Sequence, residues 1–307
     1  MGAGHVMRTS AIAEELIDLG LQVEFIGQIE DLPWLSKRIS ELGFSAIYSE
    51  ENEILGETMQ DVLILDSYEI PISNPFIARN RWKRVISISD SMSPDYECDL
   101  VVHQSFSKPK KLRPNQKMVF GTDYFVIRKS LHVFAKERKF ISSSSPKISI
   151  VGGGTDLNNF TQTITSILQK SNILFQAKVF TNNLVKKELD NRFEYLPVGQ
   201  DLDRSFIDCE LAVTSASTTA IEFIACGIPT AIAALINNQD ENYLNLSQLG
   251  IALPVGSRNE QNQLTINEEK LLEITSSITL RKQLHTACSN TISFGGVKRI
   301  VEKIQSL

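Results

Sequence analysis

His5 stands in the run Gly2-Ala3-Gly4-His5-Val6-Met7-Arg8, which leads directly into a helical pattern. Imidazole is the side chain best suited to accept a proton near neutral pH. Glycines beside it let the backbone approach a ligand closely, and the free N–H groups of a helix start favour an anion. A helix-capping histidine would give the same pattern. A second glycine run, Val151-Gly152-Gly153-Gly154-Thr155-Asp156, again joins a strand to a helix that begins near Asn158. Three successive glycines leave backbone bare for a ligand or for a facing domain. In the third motif, Val213-Thr214-Ser215-Ala216-Ser217-Thr218-Thr219-Ala220-Ile221-Glu222, three hydroxyl residues occupy a helix start. Hydroxyls and unpaired N–H groups there suit a diphosphate without any lysine, and a carboxylate one turn later can accept both ribose hydroxyls. Plain capping by Ser217 or Thr219 is the alternative. Last, Asn237, Asn238, Gln239 and Asn242 place neutral hydrogen-bonding groups at the mouth of a strand, where sugar hydroxyls need them or where any polar loop runs.

The elements that must position these residues are short β-branched runs alternating with helical patterns. Apolar spacing marks a helix over 6–19, ending at Gly20, then a strand over 21–26. Further strands are expected at 62–65, 85–88, 100–102, 148–151, 177–180, 211–213 and 229–233. Being short and apolar on both faces, they read as parallel sheet covered by helices. With 307 residues the chain is long enough for two domains. The stretch 140–146, with its serine run, looks like a linker. The expected organisation is α/β: a Rossmann-like domain over 1–139, a second over 147–289, and a C-terminal segment over 290–307. Two such halves predict a cleft lined by strand carboxyl ends.

The formal net charge of -5 argues against a nucleic-acid surface, which needs clustered Lys and Arg. No apolar run approaches the ~20 residues of a membrane span, so no stable membrane association is expected. Cys98, Cys209, Cys226 and Cys288 have neither metal-ligand nor disulfide spacing. They read as structural thiols of a cytoplasmic protein.

Taken in order along the chain, the motifs carry a resemblance. Gly-x-Gly-His-x-x-Arg near the N-terminus is followed by Asp66-Ser67-Tyr68 after a strand. The run from Phe120 to Arg128 precedes the linker, and Gly152-Gly153-Gly154-Thr155-Asp156-Leu157-Asn158 follows it. Then come Ser217-Thr218-Thr219-x-x-Glu222, Gly227-Ile228-Pro229 and Asn238-Gln239-x-x-Asn242. The set resembles the UDP-sugar hydrolases of pseudaminic acid biosynthesis, which act on UDP-2,4-diacetamido-2,4,6-trideoxy-β-L-altropyranose. That family is similar to the GT-B glycosyltransferases, including the glucosaminyl transferase of peptidoglycan synthesis. The resemblance covers nearly the whole chain.

It implies a GT-B-like fold, with His5 as the base that activates water and residues 217–222 holding UDP. Tyr68 and Asn242 would lie near the nucleotide-sugar. The remaining substrate contacts would come from Gly4, Arg8, Asp66, Gly153, Gly154, Thr155, Asn158, Asn238 and Gln239. The segment from Phe294 would cross back to the N-terminal domain. No cofactor or metal is implied, and the partner is a UDP-sugar bound by a monomer. Water would attack the anomeric carbon opposite UDP, with inversion and C–O cleavage. Two departures concern the substrate: Ser89-Asp90 stands where the family carries adjacent aspartates, and Ser215-Ala216-Ser217 replaces a more glycine-rich approach to the helix. A third concerns the start, because the family has a full strand before the glycine loop. An upstream extension of roughly 10–20 residues coding for one apolar strand is therefore expected.

A glycosyltransferase of the same fold and a non-catalytic nucleotide-sugar-binding protein are the rival readings. A transferase acting on lipid-linked acceptors would show an exposed apolar and basic patch. Arg79, Arg81, Trp82, Lys83 and Arg84 offer a modest cluster of this kind, which a solvated helix end explains better.

Overall fold

The computed structural model describes residues 3–27, 33–48, 50, 59–91, 96–109, 112–114, 116–138, 140–154, 156–182, 190–289 and 291–307. It divides into two compact units, Met1–Arg128 with Ser293–Leu307, and Lys129–Ile292.

The first unit opens with helix α1, Ala3–Asp18, which buries Val6, Ala11, Ile12 and Ala13. Val6 packs with Phe25, Leu35 and Ile39, and Ala11 and Ile12 with the four-stranded sheet of the same unit, so the helix is buried on more than one side. The helix stops at Gly20, whose φ of 80° is one that residues with a Cβ rarely adopt. Strand β1 covers only Glu24–Ile26, half of the apolar run expected to form it. Helix α2, Pro33–Glu41, leads to β2, Ala46–Tyr48, which pairs parallel with β1. Strands β3 (Val62–Leu65), β4 (Arg84–Ser89), β5 (Leu100–His103) and β6 (Lys117–Phe120) form a separate four-stranded sheet, parallel throughout, in that order. Ala11 and Ile12 of α1 pack on Ile86, Ile88, Leu100 and Val102 of this sheet. β2 and β6 were not legible in the sequence: both are short, and neither shows a run of buried apolar residues.

The second unit begins with α3, Lys129–Glu137, and takes in the irregular stretch 140–146, where Ser143 bonds to Glu210 and Arg281 of the same unit. There follow β7 (Lys147–Val151), α4 (Phe160–Gln169), β8 (Gln176–Phe180), β9 (Phe193–Leu196) and α5 (Gln200–Ser205). Next come β10 (Leu211–Ser215), α6 (Thr218–Ala225), β11 (Thr230–Ala233), α7 (Asp240–Gln248), β12 (Leu253–Arg258) and β13 (Leu264–Ile266). Helices α8 (Glu268–Ser276) and α9 (Ile278–Cys288) complete it. The sheet runs β13-β12-β11-β10-β7-β8-β9 and is parallel except for the β12–β13 pair. Its central strands β10 and β11 are buried at every residue. The chain winds outward from β7 to β8 and β9, then returns to the other side of β7 as β10. The winding direction thus reverses between β7 and β10, and ligands of open α/β sheets bind at the strand carboxyl ends of such a switch point.

Helix α10, Gly296–Gln305, returns to the first unit and buries Val297, Ile300, Val301 and Ile304 in the core that contains Ala11 and Ile86. A Cβ on Gly296 would lie 2.1 Å from the carbonyl oxygen of Phe125, so only glycine allows this approach. Among the described residues no helix is long and apolar enough to cross a membrane.

Candidate functional site

Two groups of expected site residues come together, one in each unit. In the first, Gly4, His5 and Arg8 lie in the opening turns of α1 rather than on a turn before it, because the helix already starts at Ala3. Three residues apart, His5 and Arg8 share a helix face. Asp66 follows β3 directly and Asp90 follows the neighbouring β4, so parallel pairing sets both carboxylates at the same end of the sheet.

These side chains form a closed network. His5 Nδ1 lies 2.5 Å from Asp66 Oδ1, and the Asp66 side chain is only 1% exposed. A carboxylate oxygen accepts, so this contact favours a hydrogen on Nδ1, from which Arg8 Nη2 also lies 3.2 Å. Arg8 Nε donates to Asp66 Oδ2 and Nη2 to Asp66 Oδ1, each at 2.9 Å. Arg8 Nη1 donates to Asp90 Oδ2 at 3.0 Å. The Tyr68 hydroxyl donates to Asp90 Oδ1, and the Tyr68 ring meets the His5 ring edge-on at 4.6 Å.

Burial works against the charge of Arg8, but Asp66 and Asp90 outweigh it and its pKa is raised. Tyr68 is pushed up by burial and then by the Asp90 charge, which keeps the phenol a donor. For Asp90 burial opposes ionisation most, yet the Arg8 charge and the hydrogen bonds from Tyr68 and Arg8 hold the carboxyl below its ordinary range. In the sequence Ser89-Asp90 is marked only as a departure bearing on the substrate, and Asp90 is not among the expected site residues. Its signal was position, a carboxylate immediately beyond a buried strand and one strand away from Asp66.

In the second unit the loops after β7, β10 and β11 meet at the switch point. A Cβ built on Gly153, whose φ is 93°, would lie 3.8 Å from Ser215 Oγ, so the glycine loop runs close to the end of β10. Asp156, Asn158 and Asn159 also adopt positive φ. Such conformations are costly for non-glycine residues and persist only where the surroundings enforce them. The Asp156 carboxylate supplies that enforcement by accepting from Thr161 N at 3.0 Å, from the Thr161 hydroxyl and from Thr181 Oγ1 at 3.2 Å. Gly154 O accepts from Asn182 Nδ2 at 3.3 Å. Thr155 lies outside the described residues.

Ser217 sits at the N-cap position of α6 without capping it; Ser215 Oγ donates to its hydroxyl at 3.0 Å instead. Ser217, Thr218 and Thr219 are half-buried, while Glu222 is buried one turn inside. The helix start therefore presents hydroxyls and backbone N–H groups with no acidic residue in its first turn, the arrangement that favours an anion. Two expected ligand residues have a holding role. Asn158 Nδ2 donates to Leu235 O at 2.9 Å, and Gln239 Oε1 accepts from Leu235 N at 2.8 Å. Asn238 is exposed in the loop after β11, and Asn242 is buried in the first turn of α7. Arg258 braces that loop from β12 by donating to both Asp240 carboxylate oxygens, at 2.7 and 2.8 Å.

The basic cluster of the first unit is not a free patch. Trp82 is 7% exposed and its Nε1 donates to Phe76 O at 2.7 Å. Arg79 pairs with Asp99 at 2.7 Å, Arg81 lies 4.9 Å over the Phe76 ring, and Arg84 donates to Leu307 O at 2.8 Å.

No protein-family model matches the chain. It is 28% identical over 273 residues to an uncharacterised protein of Methanocaldococcus jannaschii, covering 79% of this chain and 55% of that protein. The chain thus spans about half the length of that relative. It is 24% identical over 263 residues to the UDP-2,4-diacetamido-2,4,6-trideoxy-β-L-altropyranose hydrolase of Campylobacter jejuni, covering 81% of this chain and 93% of the hydrolase. Among solved structures, MurG of Acinetobacter baumannii superposes with a TM-score of 0.65 at 13% identity, over 99% of this chain and 96% of that one. The chain therefore has a GT-B-like α/β fold, and its sequence is similar to that of a nucleotide-sugar hydrolase.

Proposed function

We propose that the protein is a UDP-sugar hydrolase that cleaves the anomeric C–O bond and releases UDP and a free 2,4-diacetamido-2,4,6-trideoxy hexose. The observation that carries the nucleotide half is the uncapped start of α6, with half-buried Ser217, Thr218 and Thr219, beside the β7–β10 switch point. The diphosphate takes these N–H and hydroxyl donors, and they stabilise the charge that grows as the bond breaks. Glu222 serves the ribose hydroxyls. In this reading residues 1–139 carry the base and 147–289 the nucleotide site.

His5 is the base. A water oxygen attacks the anomeric carbon, its proton passes to His5 Nε2, and the C–O electron pair leaves with UDP. Asp66 keeps the imidazole in the tautomer this step needs. The similarity to the Campylobacter jejuni hydrolase supports water as the acceptor. The engaged state of Trp82, Arg79, Arg81 and Arg84 also favours it over a lipid-linked acceptor.

The test is UDP release from UDP-2,4-diacetamido-2,4,6-trideoxy-β-L-altropyranose with no acceptor, in ¹⁸O-labelled water. Label in the sugar and none in UDP is the expected result. Release only on adding an acceptor would establish a transferase, and tight binding without release a non-catalytic binding protein.

A further inference from the structure

Asp90 touches both residues that flank His5. Arg8 is 5% exposed; its Nε and Nη2 donate to Asp66 and its Nη1 to Asp90, while Nη2 also lies 3.2 Å from His5 Nδ1. The bidentate grip on Asp66 holds the carboxylate in the plane from which it meets His5 Nδ1. That grip has a fixed direction only while Nη1 is anchored too, because a planar guanidinium turns as one body. On the other side Asp90 Oδ1 takes the Tyr68 hydroxyl, and the Tyr68 ring packs edge-on against His5. Five side chains thus form a ring of contacts, and Asp90 is the member that ties its two arms together.

Charge gives a second reason. Asp66 and Asp90 each carry one negative charge and Arg8 one positive charge, a sum of −1 that becomes zero when His5 takes a proton. Without the Asp90 charge the same step leaves an uncompensated cation in a buried cluster, which is costly.

We propose that Asp90 is a positioning residue for the His5 base, acting through Arg8 and through Tyr68. This rests on the reading of His5 as the base. It adds a residue that the site motifs did not include.

The test uses the full chain with Asp90→Asn, Asp90→Glu and Tyr68→Phe, and has one readout that needs no substrate. The chain has four histidines, so the ¹⁵N imidazole signals are few, and His5→Asn assigns that of His5. The parent protein gives the Nδ1–H tautomer of neutral His5. Asp90→Asn gives a mixture of tautomers, and Asp90→Glu restores part of the parent signal. With UDP-sugar, Asp90→Asn lowers kcat at least tenfold while KM stays within a few-fold, and Asp90→Glu recovers some of the loss. If Asp90→Asn does not fold, Tyr68→Phe cuts one arm alone and is expected to mix the tautomers to a smaller extent. A parent-like His5 spectrum together with parent-like kcat in the folded Asn variant overturns the assignment. A tautomer change in a protein that never releases UDP supports the positioning role and rejects the hydrolase reading instead.

Discussion

Asn158 and Gln239 grip the two polar backbone groups of a single residue, Leu235, from opposite sides. Asn158 donates to its carbonyl and Gln239 accepts from its N–H, and Leu235 itself is fully buried. The amide pair therefore locks the end of β11 to the glycine loop after β7. Truncating either amide leaves a buried backbone group without its partner, at roughly 1–3 kcal/mol. Asn158→Ala and Gln239→Ala are each expected to lower urea stability by about that much, with their losses coupled because both act on one residue. Full stability in both variants would leave the two amides free for a ligand role alone.

His5→Asn is expected to reduce turnover by roughly 10² to 10⁴, the usual worth of a general base. UDP affinity should change only a few-fold, since the nucleotide half of the site lies on other residues. Single-turnover rates on folded protein, alongside calorimetry with UDP, make the comparison. Near-normal turnover would remove His5 from the mechanism.

At the α6 start the same substitution should move stability and binding in opposite directions. Ser217→Asp supplies the missing cap and a negative charge beside the helix N-terminus, worth about 0.5–2 kcal/mol of stability. It also occupies the place of the diphosphate, so UDP affinity should fall at least tenfold. A higher melting temperature with unchanged UDP binding would mean that phosphates bind elsewhere.

Glu222 lies one turn further in. Glu222→Ala should weaken UDP by about 1.5–3 kcal/mol, the range for hydrogen bonds to a charged group, and 2′-deoxy-UDP much less. Equal losses for both nucleotides, measured by calorimetry, would make Glu222 a purely structural residue.

The Asp90 carboxyl is most affected by burial, which would raise it, but Arg8 and Tyr68 prevail and hold it below its ordinary range. A depressed carboxyl stabilises the fold above its unfolded pKa of about 3.9. That contribution is lost as pH falls through the lower folded value. Asp90→Asn should therefore be less stable than the parent near neutrality, and the gap should narrow as pH drops below about 4. Urea midpoints across that window would show it; a constant gap would mean that the Asp90 charge contributes nothing to stability.

What the sequence determined by itself is the alternation of strand and helix, and with it the end of the sheet at which functional groups emerge. Residues 62–65 are β3 as expected, and the runs at 85–88, 148–151 and 211–213 lie within β4, β7 and β10. Buried parallel strands need continuous apolar runs, and loops at their carboxyl ends carry the polar and glycine residues, so both are local signals. Partnership is not local. Nothing near Asp90 in the chain indicates that Arg8, 82 positions away, will bridge it to Asp66. Nor does the basic run at 79–84 announce that Trp82 is core and its arginines engaged. The hydroxyls at 217–219 read as a cap or as an anion site, and that Ser217 makes no cap bond and meets Ser215 instead is visible only in the folded chain. In each case the deciding quantity is the distance between groups far apart in sequence or the direction of one side chain, and only the folded chain sets those.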